Sequence, residues 1–146
     1  MFTFKLEAAL NYRKTLEEKK LVEFSDVRKQ LEREKDLLAG IQTEQLAIIE
    51  QLRNIQGQPF ISPEIALYLS YIALFKGKES LQQEVIEKVS REVEMMREAL
   101  LEAVRSRKIL DNLKDRQFRE FNENAAAHQR KVADETAVLR FIRNQK

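Results

Sequence analysis

Residues that break helices are concentrated at one place in this chain. Of its 146 residues only 3 are Gly and 2 are Pro, and both prolines and one glycine lie within residues 57–63. A fold of many short strands needs far more turn residues than this. We therefore predict an all-α chain: a first helix at about 4–56, a turn at about 57–62 and a second helix at about 63–142.

The start of the second helix has its own signature. Ser62 is followed by Pro63 and Glu64. Ser is a favoured N-cap, Pro is favoured at the first helical position, and an acidic residue suits the first turn. Two long helices joined by a short turn form an antiparallel hairpin, and 146 residues are enough for one domain. We expect residues 1–146 to be a single coiled-coil hairpin.

The apolar residues of the first helix follow a heptad spacing. Counting back from Ile55 in alternating steps of three and four, ten of fifteen positions are apolar, a narrow stripe typical of pairing with one or two other helices. These ten are Ile55, Leu52, Ile48, Ile41, Leu38, Leu31, Val27, Phe24, Leu10 and Leu6. At Arg13, Glu17 and Lys20 the stripe is interrupted. We expect it to shift there to Tyr12, Leu16 and Leu21.

A similar apolar stripe runs along the second helix. It consists of Ile86, Val89, Val93, Met96, Leu100, Ala103 and Leu110, with a more polar stretch at Arg107, Lys114 and Gln117. With the turn centred near residue 60, residue i lies opposite roughly residue 120 − i. Residues after about Phe118 then extend past the first helix as an overhanging C-terminal segment, and its apolar side chains have no partner within the hairpin. They are Phe121, Val132, Val138, Leu139, Phe141 and Ile142.

Residues that carry chemistry are absent or isolated. The three glycines stand apart, so the sequence has no phosphate-binding glycine loop; it has no Cys, and His128 is the only His. Neighbouring carboxylates such as Glu17 and Glu18 point in different directions on a helix. We therefore expect no enzyme activity, no catalytic residues, no cofactor, no metal site and no small-molecule substrate.

Membrane insertion and nucleic-acid binding are not expected. The longest apolar run, residues 65–75, is shorter than the roughly 20 residues that a spanning helix needs, and no secretory leader follows Met1. The 26 Lys and Arg nearly balance the 24 Asp and Glu, although residues 104–146 hold 11 basic and 6 acidic residues. Six of these cations could face nucleic acid, but acidic residues alternate with them and no aromatic platform accompanies them. The six are Arg105, Arg107, Lys108, Lys114, Arg116 and Arg119.

Apolar residues exceed the needs of one stripe just after the turn. The excess consists of Tyr68, Leu69, Tyr71, Ile72, Leu74 and Phe75. One helix cannot direct all of them at one partner, so we expect part of the set to be exposed. Two interpretations stay open: a hydrophobic plug with Ile49, Ile55, Phe60 and Ile61 that stabilises the hairpin end, or a surface that binds a partner.

Four segments resemble a known family. They are FTFKLEAALNYR at 2–13, EVEMMREALLEA at 92–103, RKILDNLKDRQ at 107–117 and the pair Asp134-Glu135. In order and spacing they are similar to the bacterial flagellar export protein FliJ family, over essentially the whole chain.

The resemblance implies a non-enzymatic, cytoplasmic component of the flagellar type III export apparatus, located at the inner face of the cell membrane. Family members resemble the central stalk of rotary ATP synthases. They bind the export ATPase hexamer, the cytoplasmic domain of the export gate membrane protein, and export chaperones. The counterpart in an injection-type secretion system would need the same hairpin.

Two surfaces of this chain are candidates for those partners. For the ATPase we expect Leu6, Leu10, Phe121, Val138, Leu139, Arg140, Phe141, Ile142 and Arg143. For the gate we expect Ile48, Leu52, Tyr68, Tyr71 and Phe75, and the resemblance points to Tyr71 and Phe75 in particular. Lys78 and Gln82 depart from the small or aromatic residues expected further along that helix. The alternative function is a generic coiled-coil scaffold or holdase chaperone that self-associates through the overhang.

Overall fold

The chain folds as two long α-helices that pack against each other, an all-α hairpin as the sequence predicts. A computed structural model describes residues 1–56 and 63–145, without the side chain of Gln56. Helix α1 spans Glu7–Gln56 and helix α2 spans Pro63–Asn144. No strand occurs in these two ranges. Pro63 is the first residue of α2 and Glu64 lies in its first turn; Ser62, Phe60 and Ile61 lie outside the described residues.

The helices contribute to two compact units. Unit 1 consists of Met1–Glu18 and Glu102–Lys146, and unit 2 of Lys19–Leu101. In unit 1, Lys114 contacts Glu7 and Arg107 contacts Glu17; in unit 2, Gln82 contacts Glu34. The two residue numbers of each pair sum to about 120, so the pairing inside each unit is antiparallel, as expected for a hairpin. That residues 1–146 form one domain stays a prediction.

The heptad positions counted back from Ile55 form the buried face of α1. Of the fifteen, all but Leu6 are buried or half-buried, and the most enclosed are Leu10 and Leu52. Opposite them, the predicted positions of α2 are buried or half-buried without exception from Ile86 to Gln117. Alternating steps of three and four keep one face of each helix against the other.

The expected shift of this face near the start of α1 is wrong. Of the three residues expected to carry the shifted stripe only Leu16 is half-buried, and Tyr12 and Leu21 are exposed. Arg13, Glu17 and Lys20 are half-buried on the regular heptad. Long charged side chains can bury their aliphatic stems and keep their charged ends in polar contacts. Glu17 and Lys20 do so through ion pairs, so the heptad continues without a slip.

Helix α1 begins three residues later than the expected Phe4. The first six residues are not helical, the backbone N–H of Glu7 donates to the carbonyl of Phe4 at 3.2 Å, and Glu7 supplies an acidic first turn. Phe4 is nonetheless buried, at 6% exposure. Packing of this side chain, rather than helix propensity, therefore fixes the segment before α1.

Candidate partner-binding surfaces

Charged side chains connect the helices within unit 1. The Arg107 guanidinium donates to both the Glu17 carboxylate across the pair and Asp111 on its own helix, the latter at 2.6 Å. Hydrogen bonding to Glu17, and then to Asp111, raises the pKa of Arg107 above its ordinary value, so it stays charged. Lys114 forms a second ion pair, at 2.9 Å, with Glu7.

Three of the six cations that could have faced nucleic acid have carboxylate partners within the chain. Arg107 and Lys114 pair across the helices, and Arg105 lies 3.9 Å from Glu102. Phosphate binding would have to replace carboxylate partners that are already in place. Two of the six cations, Arg107 and Lys114, thus serve helix pairing, and Arg105 pairs within α2.

The predicted overhang is present in unit 1. Every residue from Phe118 to Gln145 is exposed, and α2 continues through this segment to Asn144. The predicted ATPase-facing residues of the segment are therefore all on the surface: Phe121, Val138, Leu139, Arg140, Phe141, Ile142 and Arg143. A shallow groove brings Leu139 and Ile142 next to Arg140 and Arg143, with Thr136 at its edge. The groove is thus lined by both apolar and positively charged side chains, and Leu139 also lies beside Asp134 and Glu135.

The two predicted ATPase-facing residues of the N-terminal part differ from each other. Leu6 is exposed, but Leu10 is fully buried, at 0% exposure. A partner could reach Leu10 only by separating the helices. Leu10 therefore belongs to the core of the hairpin and not to a binding surface.

An aromatic cluster lies where the overhang begins. The ring centroid of Phe2 is 5.3 Å from that of Phe118 and 5.7 Å from that of Phe121. The expectation that Phe121 has no partner within the chain is thus wrong. Sequence periodicity could not find this contact because Phe2 lies outside the helix. The signal was composition alone: two Phe in the first four residues.

The predicted gate-facing residues in unit 2 also fall into two classes. Leu52 is buried, at 7% exposure, and Ile48, Tyr68 and Phe75 are half-buried at the helix interface. Tyr71 is the one member of the five that is exposed, at 42%. The Lys78 ammonium lies over the Phe75 ring, 5.1 Å from its centroid. Of the five predicted residues, Tyr71 is therefore the most accessible to a partner.

The apolar set after the turn divides as expected. Tyr68, Ile72 and Phe75 are half-buried, whereas Leu69, Tyr71 and Leu74 are exposed. The plug interpretation includes Phe60 and Ile61, which lie outside the described residues. The exposed members leave unit 2 with an apolar surface beyond its helix interface.

Within residues 1–56 and 63–145, no group of three or more His, Cys, Asp or Glu could hold a metal ion. Neither described helix contains a window that is both long and apolar enough to cross a membrane.

Comparison with known proteins places the chain. A search of curated proteins and a search of solved structures each gave no significant match. The family model described as FliJ, flagellar FliJ protein, matches residues 2–146. The match covers the N-terminal Phe residues, both helices and the overhang, so this chain belongs to the flagellar FliJ protein family.

Proposed function

We propose that this flagellar export-associated coiled-coil protein is a non-enzymatic stalk. It binds the export ATPase hexamer through the overhang and the cytoplasmic domain of the export gate through the surface around Tyr71, and it assists in handling export chaperones. Such a stalk acts in the cytoplasm, peripheral to the inner face of the cell membrane.

The exposed overhang carries this proposal. The segment from Phe118 to Gln145, helical as far as Asn144, exposes large apolar side chains along its whole length. Monomeric proteins rarely expose large contiguous apolar patches unless the patch binds a partner. The apolar residues Leu139 and Ile142 lie beside Arg140 and Arg143. An apolar centre with a charged margin is the usual composition of a protein–protein interface, and the Arg side chains favour a partner with acidic groups.

Tyr71 supports the second half of the proposal. Its exposed ring adds a large contact area at a small cost in side-chain entropy. It lies in unit 2, whereas the overhang lies in unit 1. Separate surfaces allow one chain to bind two assemblies at once, and binding at one surface can then bias the conformation of the partner at the other.

ATP turnover by the export ATPase tests the overhang. The hydrolysis rate should rise when the chain is added, and Leu139→Asp should remove most of the stimulation because it places a charge in the apolar centre of the contact. Leu46→Asp is the matched control: Leu46 in unit 2 is 66% exposed and Leu139 is 68% exposed. Stimulation that is equal for both variants would contradict binding through the overhang.

Binding to the purified gate domain tests Tyr71. Tyr71→Ala should weaken the complex by about 1–2 kcal/mol in a titration, the loss expected for an aromatic anchor. Tyr12→Ala removes an exposed tyrosine from unit 1 and should leave the affinity unchanged. If the two variants bind alike, the gate contacts another surface.

A further inference from the structure

Helix α2 carries a second apolar stripe that the hairpin does not use. Leu67, Tyr71, Leu74, Lys78, Leu81 and Val85 follow one another in alternating steps of four and three, all in unit 2. The five apolar members are each at least 40% exposed. The face of α2 that packs on α1 follows a different heptad register, which begins with Ile65, Tyr68, Ile72 and Phe75. Alternation of three and four is the spacing of a surface that pairs with another helix.

Small residues border this stripe. Ala66, Ser70, Ala73, Gly77 and Ser80 repeat the same alternation on its flank, and all are exposed. A Cβ added to Gly77 would meet nothing within 4 Å, so packing inside the chain does not require a glycine there. Gly in a helix interior is destabilising relative to Ala. Its absent side chain would instead allow another helix to come close.

We propose that a second copy of this chain docks on this stripe, with the two α2 helices antiparallel. In the register that centres on residue 76, Leu67 lies opposite Val85 of the second copy and Tyr71 lies opposite Leu81. By the two-fold symmetry each of these contacts occurs twice. The two Gly77 residues then approach each other at the two-fold axis, where a side chain would hinder contact.

Charge decides the direction of pairing. A parallel pair would place Lys78 against Lys78 and Lys88 against Lys88 of the second copy, and like charges directly opposite are unfavourable. The antiparallel pair places Lys78 beside Leu74, and Lys88 opposite Glu64. The ammonium of Lys78 lies over the Phe75 ring of its own chain, so its stem can pack while its charge keeps a partner.

The stripe is short enough that the dimer should be weak. From Leu67 to Val85 the helix rises about 27 Å. Five half-exposed apolar side chains from each copy bring the buried area near the roughly 1,000 Å² that specific interfaces reach. We expect association in the micromolar range.

Sedimentation equilibrium of the full chain at several concentrations tests the dimer. The chain should pass from monomer to dimer as its concentration rises, and Leu81→Glu should raise the dissociation constant at least about tenfold. Leu139→Glu alters an equally exposed leucine of the overhang and should leave the constant unchanged. A monomer at all concentrations would overturn the proposal. Dissociation by Leu139→Glu alone would assign self-association to the overhang and also overturn it.

The direction of pairing has its own test, because the natural chain contains no Cys. A short bis-maleimide should cross-link a mixture of Leu67→Cys and Val85→Cys into the mixed dimer. Leu67→Cys alone should not cross-link, because the two residues 67 would be roughly 27 Å apart. Efficient cross-linking of Leu67→Cys with itself would show a parallel pair and contradict the proposal. Tyr71 also belongs to the proposed gate-binding surface, so the gate and a second copy would exclude each other at this stripe. Neither test requires the ATPase or the gate, so a monomeric chain would overturn the dimer and leave the proposed gate contact standing.

Discussion

The paired part of α2 and its overhang are built from the same residue types but differ in burial. Val89 and Ala103 of the paired part are buried against α1, whereas Val138 and Leu139 of the overhang are exposed. The helix continues through both. The backbone hydrogen bonds of a helix lie within one segment, so α2 is helical in both parts although only the paired part is buried.

The difference shows where stability resides. The paired part gains free energy by removing apolar area from water, while the overhang retains its apolar area for a partner. Beyond Phe121 the side-chain hydrogen bonds of the overhang are local: Thr136 donates to the carbonyl of Val132, and Arg130 to that of Ala126. Changes beyond Phe121 should therefore affect binding and leave unfolding of the hairpin unaltered.

Truncating one leucine at the interface between the helices and one leucine of the overhang tests this separation most strongly. Leu10→Ala should lower the free energy of unfolding by about 3 kcal/mol, because it leaves a cavity at a fully buried site. Leu139→Ala should change it by less than about 0.5 kcal/mol. Urea unfolding followed by circular dichroism measures both. Equal losses would show that the overhang is packed in solution.

The aromatic cluster lies at the border between the two parts. Phe2→Ala should lower the free energy of unfolding by about 1–2 kcal/mol, because it removes both ring contacts and the area that they bury. Phe141→Ala removes an exposed ring of the overhang and serves as the control. The same urea titration compares them, and no difference would mean that Phe2 does not hold the start of the overhang.

A polar residue of α1 at the helix interface offers a substitution that should raise the free energy of unfolding. Gln45 occupies a heptad position of α1 and is only 9% exposed. Polar residues at such positions fix register at a cost in stability. Gln45→Leu should therefore raise the free energy of unfolding by about 0.5–1 kcal/mol. A lower midpoint of thermal unfolding would show that Gln45 is needed for packing.

Replacing the ion pair between Arg107 and Glu17 should have the smallest net effect on stability. Arg107→Leu alone should lower the midpoint of thermal unfolding, since it leaves Glu17 half-buried without its cross-helix partner. The double change Arg107→Leu and Glu17→Leu should return the midpoint to the original value or above it. A double-mutant cycle measures the coupling; an Arg107→Leu variant as stable as the original would show that the pair adds nothing.

Much of the fold could be predicted because helix formation and helix pairing leave periodic signals. The phase counted from Ile55 correctly gives the buried face of α1 as far as Leu10, and the scarcity of Gly and Pro gives the two helices. The error at Arg13 to Lys20 came from treating charge as incompatible with a helix interface. Glu17 remains there because its partner Arg107 lies 90 residues away in sequence.

The candidate sites could be predicted less well. Periodicity ranks apolar residues alike, so it did not distinguish Leu10 and Leu52, which are buried, from Leu139, which is exposed. Only the opposing helix makes that distinction. The contact of Phe2 with Phe121 was missed for a related reason, since a non-helical segment has no period from which to infer its neighbours.

The antiparallel register also restricts how the length of such a chain can vary among relatives. Inserting seven residues into α1 between Leu10 and Leu52 keeps the buried face in phase, but it displaces every cross-helix contact on the N-terminal side of the insertion unless α2 gains seven residues at the matching point. Indels of the paired part should therefore occur as compensated heptads, one in each helix. The segment from Phe118 to Gln145 faces no opposing helix, so it is free of this restriction and can lengthen or shorten alone.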